Sequence, residues 1–100
     1  MIIVIAEAHF TAEAADGVVA LLASTAAASR GDKGCIDYRF TRDTEDPTLF
    51  FSVEKWESKA DLDAHMAAPH TQALLGSLEG KVAAAPVITV HEVSASNPYS

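Results

Sequence analysis

The chain predicts an α+β fold, one four-stranded antiparallel sheet with helices on a single face. Four segments carry β-branched or alternating apolar residues, and alanine- and leucine-rich segments with helical spacing lie between them. They follow one another as strand, helix, strand, strand, helix pair, strand, which is the order of a split βαβ unit.

Residues 2–10 (IIVIAEAHF) start β-branched and then alternate, with Glu7 and His9 on one face and Ala6, Ala8 and Phe10 on the other. Thr11 offers an N-cap hydroxyl to a helix over 12–29, whose stripe is Ala15, Val19, Leu22 and Ala26. Gly17 costs that helix about 1 kcal/mol relative to alanine, and Arg30 with Gly31 ends it. In 35–42, Ile36, Tyr38 and Phe40 face one way while Asp37, Arg39 and Thr41 face the other. The polar run 43–47 closes on Pro47 and reads as a hairpin connection. The return strand, 49–56, puts Phe50, Ser52, Glu54 and Trp56 on one face. Ser58 with Asp61 is a capping pair for a helix over 59–68, which Pro69 interrupts. A further helix over 70–84 has Leu74, Leu75, Leu78 and Val82 as its apolar face. Pro86 ends it, and 87–93 (VITVHEV) is the last strand. Residues 1–94 thus form one ferredoxin-like domain, and 95–100 are a flexible polar tail.

One helical layer covers one sheet face. The cheapest cover for the other is a second copy of the chain, so a homodimer is expected. A net charge of −7, with seven scattered basic residues, argues against nucleic acid and against an anionic membrane surface. No stretch of about 18–20 apolar residues predicts a membrane span, and the N-terminus lacks the basic segment of a secretory leader. Cys35 is the only cysteine, which excludes an internal disulfide and fits a reducing, cytoplasmic setting. The four histidines show no close ligand spacing such as His-x-x-x-His, so no metal site is expected.

The segment from Gly34 to His70 carries Gly34-Cys35, Tyr38, an Asp46-Pro47 turn, Glu54-Lys55-Trp56, and Ala64-His65 through Pro69-His70. In this combination and spacing it resembles the antibiotic-biosynthesis monooxygenase family. The resemblance implies two ferredoxin-like chains pairing into a dimeric α/β barrel. It also implies oxidation of electron-rich aromatics by O2, without metal or flavin. Where the polyketide-oxidising branch has an assisting Asn four residues before the strand-end Trp, this chain has Ser52, one hydroxyl in place of separate donor and acceptor groups. The haem-degrading branch is a poorer match, because no Asn stands in the first strand.

Such chemistry needs a base near neutrality, an aromatic-lined slot and a hydrogen-bond donor. His65 is the candidate base, since an unperturbed imidazole titrates near pH 6.5. Trp56 and Phe50 are candidates for shaping the slot, and Tyr38 or Ser52 for donating to a developing oxyanion. Asp61, one turn from His65, is either its partner or a helix-start carboxylate, with the second preferred. Glu54 on the apolar face needs a partner, for which Arg39 or Arg42 is the first choice. His70 reads as a helix-start residue and Cys35 as packing. No cofactor is expected. A non-catalytic binding or sensing domain, and an isomerase or cyclase on the same scaffold, stay open as alternatives.

Overall fold

The computed structural model describes residues 1–100. It contains strand β1 (Ile2–His9), helix α1 (Val19–Ser29), strands β2 (Cys35–Arg42) and β3 (Leu49–Trp56), helices α2 (Lys59–Ala67) and α3 (Pro69–Ser77), and strand β4 (Val87–Glu92). The sheet order is β2-β3-β1-β4, with every neighbouring pair antiparallel. This is the expected split βαβ arrangement. No helix is long and apolar enough to cross a membrane.

Register decides which residues share the helix-covered face. Val4 stands opposite Glu54 on one side and Val90 on the other, Ala6 opposite Ser52, and Tyr38 opposite Glu54. Paired residues point to the same face. Phe50, Ser52, Glu54 and Trp56 are accordingly all buried, as their alternation predicts. Two clusters form the core beneath the helices. Phe10, Ala15, Val18, Leu22, Phe50, Leu74 and Leu78 make one, and Ile2, Val4, Ala26, Tyr38, Trp56 and Leu62 the other.

Several boundaries differ from the sequence expectation. Residues 12–18 form consecutive turns, and regular helix begins only at Val19. The Thr11 hydroxyl does accept the Ala14 N–H, at 3.3 Å, but Gly17 interrupts propagation beyond that first turn. The buried stripe therefore takes Val18, and Val19 is exposed. In β2 a register shift between Cys35 and Asp37 turns Ile36 outward, leaving it 52% exposed. Helix α3 stops at Ser77 rather than 84, because Gly80 takes a left-handed φ of 77° and the chain turns back to the end of β1. There Val82 bridges Phe10, and Ala83 N–H donates to His9 O. Long-range backbone pairing outweighs the helix propensity of those alanines.

Gly34 is the tightest point of the backbone. Its φ is +78°, and a Cβ there would collide with the Asp61 carboxylate. That carboxylate is fixed by the α2 cap: Ser58 Oγ accepts the Asp61 N–H at 3.1 Å and donates to Asp61 Oδ2 at 3.0 Å. Gly34→Ala is expected to lower stability by about 1–3 kcal/mol, from left-handed strain and loss of this cap. Urea denaturation measures it, and a midpoint matching the wild type refutes it.

Candidate active site

A cavity of about 270 Å³ lies between the sheet and helices α2 and α3. Val4, Phe40, Phe50 and Leu74 are among its apolar walls, and Tyr38, Ser52, Glu54 and His65 bring polar atoms to it. Ile88 and Val90 of β4 line its outer side while remaining exposed themselves.

His65 sits in the last turn of α2 and is buried. Pro69 forces Ala68 into extended backbone (φ −65°, ψ 147°), so one residue both ends α2 and starts α3. This bend sets His70 against His65, ring centroids 5.9 Å apart. Between the two rings stands Asp32, in the turn joining α1 to β2. That turn is held by Asp32 N–H to Ser29 O, by Cys35 N–H to Asp32 O, and by Arg30 Nη1 donating to Tyr38 O. Asp32 Oδ2 lies 2.8 Å from His65 Nδ1 and 2.8 Å from His70 Nε2.

A carboxylate only accepts hydrogen bonds, so both nitrogens facing Asp32 carry protons. In the neutral ring this fixes the tautomer: Nδ1–H points to Asp32, and Nε2 bears the lone pair. The contacts His65 makes with Asp32 and Thr71 both run through Nδ1. Nε2 makes no hydrogen bond within the protein, and the residue lines the cavity.

The second polar group is Glu54. It has no arginine: Arg39 binds Asp37, and Arg42 binds Asp16 and the Pro47 carbonyl. Arg39 stands opposite Val53, on the other sheet face, and Arg42 stands opposite Phe50, four residues along β3 from Glu54. Glu54 instead accepts from Ser52 Oγ at 2.7 Å and from Trp56 Nε1 at 3.0 Å, donors two residues away on either side of its own strand face. The single Ser52 proton is thereby committed to Glu54. Trp56 is fully buried and lies behind the cavity wall rather than in it. Its ring packs on His65 with centroids 4.6 Å apart at a 38° tilt, so the indole touches both His65 and Glu54. Phe50 and Tyr38 do line the cavity.

Asp32 is the residue that sequence reasoning missed. It lies 33 positions from His65, in a turn with no periodic signal, and only the packing of α2 against that turn reveals it. Asp61, the nearer carboxylate in sequence, serves the Ser58 cap as preferred. Asp32, His65 and His70 are also the one group of side chains with metal-ligand geometry. Cys35 is not activated, because the pull of the Arg30 charge is outweighed. Burial, then the charges of Asp32, Glu54 and Asp37, push its thiol up from the usual range.

Burial, then the Glu54 charge, holds the Tyr38 hydroxyl well above the usual phenol range. Between the ordinary tyrosine value of about 10 and this raised one, the unfolded chain has lost the Tyr38 proton and the native chain has kept it. Stability is therefore fully present below about pH 10 and falls as pH rises beyond it. Absorbance at 295 nm is expected to show a late tyrosinate step coinciding with unfolding, absent in Tyr38→Phe. A Tyr38 step within the usual range in folded protein refutes this.

The fold and cavity define a class first: a small ferredoxin-like α+β domain enclosing an apolar pocket with a buried histidine. The profile of the antibiotic biosynthesis monooxygenase family matches residues 1–76, and the chain belongs to that family. A solved antibiotic biosynthesis monooxygenase is 26% identical, covering 95% of this chain and 100% of its own, with a TM-score of 0.88. A Deinococcus radiodurans protein carrying the same family name is also 26% identical, covering 100% and 99%, with a TM-score of 0.93. PA3566 from Pseudomonas aeruginosa, 24% identical over 94% of both chains with a TM-score of 0.86, shares the fold. No curated protein matches the chain.

Proposed function

We propose that this protein is a cofactor-independent monooxygenase acting on a small electron-rich aromatic, a quinol, phenol or polyketide-type ring. The observation that carries this reading is the free Nε2 of His65, tautomer fixed by Asp32, on an apolar cavity shared with Glu54. A phenolic O–H gives its proton to Nε2, and Asp32 faces the imidazolium that forms. The electron-rich anion then reacts with O2 to make a carbon–oxygen bond. Cleavage of the O–O bond leaves one oxygen on the ring and releases the other as water. The substrate gains one oxygen and loses two hydrogens, four electrons in all, which matches full reduction of O2. Apolar walls keep bulk water from the intermediates.

His65 Nε2 and Glu54 both accept hydrogen bonds, so the pocket favours a ring carrying two donors over its quinone, which has none. Tyr38 supplies a hydroxyl on the same wall. Purified, chelator-treated protein is expected to consume one O2 per quinol in an oxygen electrode, and to leave the dimethyl ether of that quinol untouched. Uptake no faster than the uncatalysed background sinks the reading, and turnover without oxygen consumption points to an isomerase.

The working unit in this reading is a homodimer in a reducing cytoplasm. Ile5, Val53 and Val87 are exposed on the sheet face that the helices leave bare, and pairing with a second sheet buries them.

A further inference from the structure

We propose that Asp32, His65 and His70 form a site for one divalent transition ion of the Zn²⁺ or Co²⁺ type, whose binding switches the histidine base off. The binding half stands on the geometry alone, and the switching half rests on the monooxygenase reading above.

The three side chains come from three elements: the turn before β2, the last turn of α2 and the first turn of α3. Each offers one ligand atom, and all three atoms lie within 4.8 Å of one another. Two imidazole nitrogens and one carboxylate oxygen suit zinc, cobalt and their neighbours, and leave open positions for water. Magnesium and calcium, which prefer all-oxygen surroundings, fit this set poorly. Access is from outside. The side chains of Asp32 and His70 are 21% and 28% exposed while that of His65 is 2% exposed, so an ion reaches the cluster without passing through the cavity. Ligands about 2.1 Å from a tetrahedral ion stand about 3.4 Å apart, so the present 2.8 Å contacts open by roughly half an ångström.

The consequence lies in where the protons sit. Asp32 now takes N–H from His65 Nδ1 and from His70 Nε2. An ion binds the lone pairs of those two nitrogens, so each ring must carry its proton on the other one. His65 then presents Nε2–H to the cavity. It becomes a donor where the proposed reaction needs an acceptor.

The test uses the full chain after chelator treatment. Co²⁺ titration is expected to give one site per chain with a visible absorption band, weakened at least about 10-fold by either Asp32→Asn or His70→Gln. Long-range ¹⁵N–¹H spectra are expected to move the His65 proton from Nδ1 to Nε2 on Zn²⁺ addition. Oxygen uptake is then expected to fall in step with Zn²⁺ occupancy and to return with EDTA. Absence of one-to-one binding, or binding that survives both substitutions, overturns the site. The exposed His9, beside Glu7, is the obvious competitor, and His9→Gln should leave the Co²⁺ band unchanged. If metal-free protein never consumes oxygen, the monooxygenase reading fails by itself, and the Co²⁺ and ¹⁵N results still decide the site.

Discussion

His65→Gln is expected to lower kcat for aerobic quinol oxidation by about 10²- to 10⁴-fold, the range for losing a positioned general base. That is about 3–5 kcal/mol of transition-state stabilisation. Gln retains an amide of similar reach but cannot take a proton. It also preserves much of the volume against Trp56 and Tyr38, whose rings lie 4.6 and 5.3 Å from the imidazole, so the fold should survive. KM should change less than kcat, because the apolar walls are untouched and the Gln amide oxygen can still accept from a substrate hydroxyl. Asp32→Asn should fall between, with kcat down by about 10- to 10³-fold. It keeps the shape but removes the charge facing the imidazolium and lets an amide N–H select the wrong tautomer. Oxygen-electrode rates checked by circular dichroism melts decide the matter. Wild-type kcat in a folded His65→Gln protein would falsify the assignment of His65 as base.

Why the partner of His65 was not visible in the sequence is a question of range. The sheet was legible because strand burial repeats every second residue: Phe50, Ser52, Glu54 and Trp56 read as one face and are one face. The α2 cap was legible because Ser58 and Asp61 are three positions apart, and such bonds are made within one turn. The pairing of Asp32 with His65 depends instead on how α2 lies over the α1–β2 turn, which no local pattern encodes. The same holds for Ile36, whose outward turn comes from a bulge, and for residues 78–84. Those residues have helical composition, yet they lie against the end of β1 because backbone groups there need partners.

Glu54 shows the opposite failure, a long-range partner expected where a local one serves. A buried carboxylate suggests an arginine, and two arginines stand on the adjacent strand. The actual donors, Ser52 and Trp56, are two residues away on the same strand and were legible from the alternation itself. This also changes the meaning of serine in place of asparagine. Its one hydroxyl proton goes to Glu54 on the same strand face.

Trp56 carries the largest expected effect on stability. It is fully buried, and it packs with Ile2, Val4, Tyr38 and Leu62. Trp56→Ala removes that packing and opens a cavity, at about 3–5 kcal/mol. Against a total stability of about 5–15 kcal/mol, the melting temperature should fall by on the order of 15 °C or more. Trp56→Phe separates packing from hydrogen bonding. It keeps most of the ring but takes the N–H from Glu54 Oε1, which should cost about 1–3 kcal/mol. In Glu54→Gln background the same change should cost measurably less, with a coupling of about 0.5–3 kcal/mol between the two sites. Thermal and urea unfolding of the four proteins in this cycle measures that coupling. Additive losses would mean that the indole N–H does not hold the acid. A Trp56→Phe protein of unchanged stability but altered KM would put the indole in the cavity wall after all.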